Sequence, residues 1–381
     1  MKSLLAPVSL VLLTVIASIS PAATHVVRPD GTGDFPTIQQ AVDAAGVGDI
    51  VELTPGTFTS LGNRGIAIQQ HDLLIRSQDG DPAGCTIDCQ SADRGFYVTP
   101  TATGTRLEGI TIAHGSMFPA GGGVYDGTWV GIAVTNCVLY QNSSGSGGGI
   151  AAEASPVLTH CRFVENSASF GGGFAGAHGA TTSPVIDHCE FFGNTALGGA
   201  GGAIGIEAIQ AGRQATVQHC TFARNTAERG GAITIMSPSS LIDQCTFAEN
   251  SATGFTGAIY GAIVDLMGSS PVMTNCVIAF SPAGCAVSCS GSPTLACCDI
   301  FGNADGDWAE CIAGQLGQNG NFAGDPLFCQ PSADDFELQA ASPCAPENNP
   351  SCGLIGALGQ GCNGPTPTER TSWGRIKSRY R

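Results

Sequence analysis

Three histidines, His160, His188 and His219, each stand immediately before a cysteine at intervals of 28 and 31 residues. Imidazoles returning on a fixed period stack when the period is one structural coil. Three outward imidazoles on consecutive coils then come within metal-chelating reach. Asn136, Gln244 and Asn275 hold the same place before other cysteines, so the column is equally a row of polar corners bonded to backbone. A second constellation, Asn303-Ala-Asp305-Gly-Asp307-Trp-Ala-Glu310, alternates oxygen ligands as calcium loops do. It lacks the glycine and distal glutamate of an EF-hand, and turn-forming Asx residues account for it as well. Ca²⁺ is the ion this loop offers to take, and the chain requires no cofactor. Trp129 and Trp308 are candidate platforms for a sugar ring, or else edges of caps and core. Were the chain an enzyme, Asp126, Asp187, Asp243 and Arg213 would be the groups to test first.

The element that must position these residues is a repeat. Cys137, Cys161, Cys189, Cys220, Cys245, Cys276 and Cys298 lie 24, 28, 31, 25, 31 and 22 residues apart. An apolar residue stands three before each of the first six (Val134, Leu158, Ile186, Val217, Ile242, Met273), and another stands two after, as in Phe163, Phe191, Phe222 and Phe247. Asparagine follows five after, at Asn142, Asn166, Asn194, Asn225, Asn250 and Asn303, and then a glycine-led turn such as Gly172-Gly173-Phe174. Alternation at Cys and Cys+2 is the strand period, and the offset of three implies a sharp bend. No repeat holds a helical pattern of useful length. A period of this size with three short strands per coil predicts an all-β, right-handed parallel β-helix (solenoid). In it the cysteines, phenylalanines and asparagines form columns, the asparagines bonding from coil to coil. The earlier trio Leu107, Ile110 and Ile112 keeps the pattern without cysteine.

The phrase resembles the repeats of chlamydial polymorphic outer-membrane proteins. Those pair an F-x-x-N element, here Phe163–Asn166, Phe222–Asn225 and Phe247–Asn250, with a G-G-A-I element, here Gly201–Ile204 and Gly230–Ile233. The likeness covers roughly residues 107–305 and implies the β-helix fold on an exported surface protein. At the N-terminus, Val26-Val-Arg-Pro-Asp30-Gly-Thr-Gly33-Asp-Phe-Pro-Thr37 through Ala45 looks like the start of pectin methylesterases and other pectin-active β-helix proteins. The catalytic phrases of those enzymes do not follow it. The acid-bearing D-F-I-F-G and the R-P-W arginine of the esterases are missing. The repeat region has no lysine to serve as a lyase base, and Asp334-Asp335 and Arg375-Ile-Lys377 stand in the wrong order for a polygalacturonase.

Organisation follows. Residues 1–23 read as a signal peptide, with Met1-Lys2, the apolar run Leu4–Ile19, and small residues ending at Ala22-Ala23. Residues 24–60 read as an N-terminal cap with a short capping helix opened by Thr37-Ile-Gln-Gln40. The β-helix repeats take 61–305, and a loop-rich, disulfide-containing C-terminal cap, expected to close the far end of the coil, takes 306–362. A Pro-Thr linker and a basic tail of five cationic residues take 363–381. The net charge is −16, and after Lys2 lysine is absent until Lys377. Such a surface repels nucleic acid and acidic lipid and keeps an exported chain soluble. No further apolar run is long enough to span a membrane once the leader is removed.

Sixteen of the 17 cysteines, all but Cys297, divide into two populations. Those of the repeat read as buried thiols acting as small hydrophobes. Cys85, Cys89, Cys285, Cys289, Cys311, Cys329, Cys344, Cys352 and Cys362 fall in loops and tail, where bridges are expected and their pairing stays open. The reading is a secreted or cell-surface monomer that adheres to a polysaccharide, a surface glycan or a protein. The competing reading is a pectin lyase-like or methylesterase-like enzyme acting on acidic polysaccharide.

Overall fold

The computed structural model describes residues 22–176, 183–207, 214–236, 239–256, 259–260, 262–266 and 271–362. All but two residues of the expected leader, the whole of the 363–381 tail, and Arg213 lie outside these. The chain winds as a right-handed parallel β-helix, the hand that parallel crossovers adopt. Four parallel sheets run along its length, of eleven, ten, six and nine strands. They are called sheets I to IV in the order in which a coil meets them.

Strands of sheet I, such as Val157–Thr159 and Val185–Asp187, point Leu158 and Ile186 inward in register. The chain then turns through a single left-handed residue. At this corner φ is 50° for Asn136, 53° for His160, 51° for His188 and 52° for His219. Few residues with a Cβ visit this region cheaply, and Asn and His are among those enriched there. The cysteine follows inside, and then sheet II, where Phe163, Phe191, Phe222 and Phe247 stack at centroid distances of 4.5, 5.0 and 4.8 Å. A second left-handed residue, such as Glu165 at φ 54° or Arg224 at φ 55°, brings in the asparagine. Sheet III comes next. A glycine turn, with Gly171 at φ 60°, then leads into sheet IV. A Cβ at Gly171 would sit 2.2 Å from the Phe174 carbonyl, so no larger residue fits that turn.

The repeat pattern implies three strands per coil; the central coils have four. The extra one, sheet III (Ser143–Ser146, Ser167–Phe170, Thr195–Ala200, Thr226–Arg229), is built mostly from Ser, Thr, Ala and Gly, and its larger residues Phe170, Leu197, Glu228 and Arg229 are not buried. Its inward contact is only an alanine, at Ala168, Ala196 and Ala227. That is too little apolar signal to read as a strand.

The columns do form. All seven repeat cysteines are buried. Each thiol donates toward the carbonyl of the inward residue one coil earlier, for example Cys161 to Val134 at 3.3 Å and Cys220 to Ile186 at 3.6 Å. Burial first of all pushes the Cys137, Cys161 and Cys245 thiols far above their ordinary value, which keeps them protonated donors. The asparagine ladder is fully bonded. Asn166 Nδ2 donates to Leu139 O at 2.8 Å and to Asn194 Oδ1 at 2.9 Å, while its Oδ1 accepts from Asn142 N at 3.0 Å. Buried amides are tolerated because every donor and acceptor is used.

The ends differ from expectation. Thr24–Val27 and Ile50–Leu53 already belong to sheet I, so the coil begins inside the segment expected as a cap. A helix, Ile38–Ala44, capped by the Thr37 side chain, lays Ile38, Ala41 and Val42 over the first coil. At the other end Ile312 and Trp308 pack against the main core. Phe328, Phe336, Leu338 and Ile355 do not; they pack on Ala223, Ala248, Val277 and Ala279, on the outer face of sheet II. The C-terminal segment thus folds back along the side of the solenoid.

Three disulfides hold this region: Cys289–Cys311, Cys297–Cys352 and Cys329–Cys362. Cys85, Cys89, Cys285 and Cys344, expected among the bridged set, instead lie buried outside the three disulfides, Cys85 and Cys285 inside strands. Cys297 enters a bridge because it occupies the outward left-handed corner, at φ 53°.

Candidate functional site

A hollow of about 670 Å³ with mixed chemistry lies between sheets III and IV toward the N-terminal end. On the outward face of sheet IV, Tyr97 and Tyr125 are register partners, and their rings stack at 5.6 Å and 12°. The Arg94 guanidinium lies over both, 5.7 Å from one centroid and 5.2 Å from the other. Tyr125 donates its hydroxyl to Glu153 Oε1 at 2.9 Å. Burial first, and then that hydrogen bond, push the Tyr125 phenol up to about 12. The opposite wall is Phe118-Pro119-Ala120 from sheet III, with the Phe118 ring over Gly145 and 81% exposed.

Arg94 is the unusual member. Among the described residues its guanidinium has no ion pair and no hydrogen bond, whereas Arg76 meets Glu52 at 2.8 Å, Arg162 meets Glu190 at 2.7 Å, and Arg224 meets Glu249 at 2.8 Å. Partial burial draws its pKa down from the ordinary value, against the nearby charge of Asp93. A cation held over aromatic faces and aimed into an open hollow is a ready anion partner. The groove ends where the small residues of later coils begin. The Tyr125 position continues as Ala151, Ala175, Gly205 and Thr234. Sequence reasoning passed over Arg94, Phe118, Tyr125 and Glu153. The legible signal was Tyr97 and Tyr125, 28 residues apart at an outward position that is small elsewhere.

The residues singled out from sequence scatter. Trp129 is 81% exposed at a turn tip beside Val130, outside the groove lining. Trp308 packs against the core and donates its indole N–H to Phe322 O at 3.1 Å, so its face serves closure. In the acidic loop, Asn303 continues the ladder, accepting from Ser281 N and donating to Ile278 O. Asp305 accepts from Gly284 N, and Asp307 from Gly302 N and Asn303 N. These carboxylates brace the corner through backbone N–H groups. Asp126 is buried under its own turn, accepting from Thr128 N and Ile132 N. Asp243 accepts from Thr274 and Asn275.

The histidine column does form. His160 and His188 stack at 5.1 Å and 12°, His188 and His219 at 4.5 Å and 25°. A carboxylate that the spacing did not flag joins them: Asp187 Oδ1 lies 2.8 Å from His188 Nδ1 and 2.8 Å from His219 Nδ1. Burial raises the Asp187 pKa, and the hydrogen bond from His219 together with the charge of His188 more than reverses this, leaving it below the ordinary value.

A family model described as the right handed beta helix region matches residues 200–314. No curated protein matches the sequence. Among solved structures, the chain is similar to pectate lyase Pel9A at 15% identity, over 90% of this chain and 98% of that one, with a TM-score of 0.45. It is also similar to the pectin methylesterase of Aspergillus niger at 13% identity, over 80% and 91%, with a TM-score of 0.39. These likenesses concern the fold. No helix among the described residues is long and apolar enough to cross a membrane.

Proposed function

We propose that this is an exported β-helix protein that binds an acidic polysaccharide in the hollow between sheets III and IV, without cleaving it. The observation that carries the reading is Arg94, a partly buried guanidinium that makes no ion pair among the described residues, in a chain of net charge −16. A sugar carboxylate would complete the fork that the tyrosine faces hold in place. The exposed Phe118 ring offers an apolar face to a pyranose, and Glu153 and Ser146 supply polar contacts at the rim. Three disulfides support an oxidising compartment.

Binding is favoured over hydrolysis because the lining carries one carboxylate, Glu153, already bonded to Tyr125. Glycosidic hydrolysis ordinarily uses two, about 5–10 Å apart. The F-x-x-N and G-G-A-I phrases lie at ladder, core and turn positions, so their likeness to surface-protein repeats supports the scaffold and leaves the ligand to the groove. Calorimetric titration with an oligogalacturonate and an uncharged cello-oligosaccharide of equal length tests the proposal. The acidic sugar should bind at least tenfold tighter at low salt, with the advantage shrinking as salt rises. Equal affinity for the two, or release of unsaturated or shortened product, would contradict it.

A further inference from the structure

The first corner of the coil is a place where the backbone dictates side-chain direction. A single left-handed residue there throws its side chain outward, and successive coils set these side chains above one another. At His160, His188 and His219 the outcome is a stack of imidazoles. The next outward position back along the strand is Thr159, Asp187 and Gln218 in register. Of these three coils only the middle one places a carboxylate there; Asp243, on the coil after, is bonded to Thr274 and Asn275. The Asp187 Oδ1 receives the Nδ1 of its own corner histidine and that of the following coil, each at 2.8 Å. One ligand atom from each of Asp187, His188 and His219 lies within 4.8 Å of the other two.

We infer that Asp187, His188 and His219 form a binding site for a divalent transition-metal ion of the Zn²⁺, Cu²⁺ or Ni²⁺ class, independent of the sugar groove. Two imidazoles and a carboxylate make the mixed nitrogen–oxygen set that these ions prefer over Ca²⁺ and Mg²⁺. The donors around a tetrahedral zinc stand about 3.3 Å apart, since each bond is about 2.0–2.1 Å. Closing the triangle from its present size therefore takes small side-chain rotations. In the metal-bound state each Nδ1 presents its lone pair to the ion, its proton moving to Nε2 or to solvent. His188 is half-exposed, so the fourth position is open to water or to a ligand atom from outside. His160 stacks on His188 and is not a donor. It shields one side of the ring.

The test is a titration of ZnCl₂ into chelator-treated full-length protein by calorimetry, with CoCl₂ visible spectra as a second readout. Asn136 and Asn275 occupy the same corner with the same φ, so asparagine substitutions preserve the backbone there. One equivalent of Zn²⁺ should bind with saturation, and Co²⁺ should give visible bands of a low-coordinate N/O site. His188→Asn, His219→Asn and Asp187→Asn should each weaken binding at least tenfold with unchanged thermal melting. His160→Asn should weaken it less than threefold. Absence of saturable binding, or unchanged binding in His219→Asn, would overturn the site. A His160→Asn loss equal to that of His188→Asn would also overturn it, by making the column rather than the aspartate the ligand.

Discussion

Along sheet IV the inward and outward positions obey different rules. Inward, Phe96, Val124, Ile150, Phe174, Ile204 and Ile233 all stay large, apolar and buried. Outward, in the same strands, the early coils carry Tyr97 and Tyr125 and the later ones Ala151, Ala175, Gly205 and Thr234. The interior is a repeated solution to packing, with each coil offering the next the same carbonyls and faces. The outer face is free of that demand, and where it departs from small residues the hollow appears. Interior substitutions should therefore cost stability, and groove substitutions should cost binding and leave stability alone.

The largest effect is expected in the asparagine ladder. Asn194→Ala removes the partner of Asn166 N and Nδ2, of Phe163 O, and of Asn225. It should destabilise by roughly 3–5 kcal/mol in urea unfolding, since several buried groups go unmet at once. A loss under about 1 kcal/mol would break the claim that the interior is one bonded column.

The next effect depends on pH. Asp299 is buried, accepting from Gly324 N and the Cys344 thiol, and burial raises its pKa from 3.8 to about 7. Because the folded pKa is the higher, the native state keeps a proton that the unfolded chain releases. That contribution is complete below about pH 4, declines as pH rises through about 7, and is gone above it. Relative to Asp299→Asn, the wild type should lose about 2–4 kcal/mol between pH 4 and pH 8. Parallel stability–pH curves for the two proteins would contradict this.

Cys220→Ser should cost only about 1 kcal/mol, because the Ile186 and Gln218 carbonyls stand ready to accept the hydroxyl. Tyr125→Phe closes the series. It should shift stability by less than about 0.5 kcal/mol and weaken acidic-glycan binding severalfold, since it removes only the bond to Glu153. A melting loss larger than that of Cys220→Ser would mean that the outer face is part of the packing after all.

The solenoid was legible because its inward residues recur with chemical identity: Cys, Phe and Asn mark strand, stack and turn in coil after coil. Sheet III was not, because its one inward alanine per coil, among mostly small and polar residues, carries little period-2 contrast. The C-terminal fold-back was hidden because Ala223, Ala248 and Ala279 look like ordinary outward alanines until Phe336 and Ile355 cover them. Half of the histidine site was legible: the spacing gave the column, whereas Asp187 stood out only as a candidate catalytic acid until the strand register set it between two rings. The groove was the least legible part. Its members come from four coils and two sheets, and Arg94 becomes distinctive only once the ion pairs of Arg76, Arg162 and Arg224 are seen beside it.

The most direct test of that last point is a calorimetric comparison of wild type, Arg94→Gln and Arg106→Gln with the same oligogalacturonate. Arg106 is an exposed arginine on sheet I, away from the hollow, and controls for the loss of one positive charge. Arg94→Gln should reduce affinity at least tenfold with an unchanged melting temperature, and Arg106→Gln should reduce it less than twofold. Equal losses from both, or full affinity in Arg94→Gln, would contradict the account.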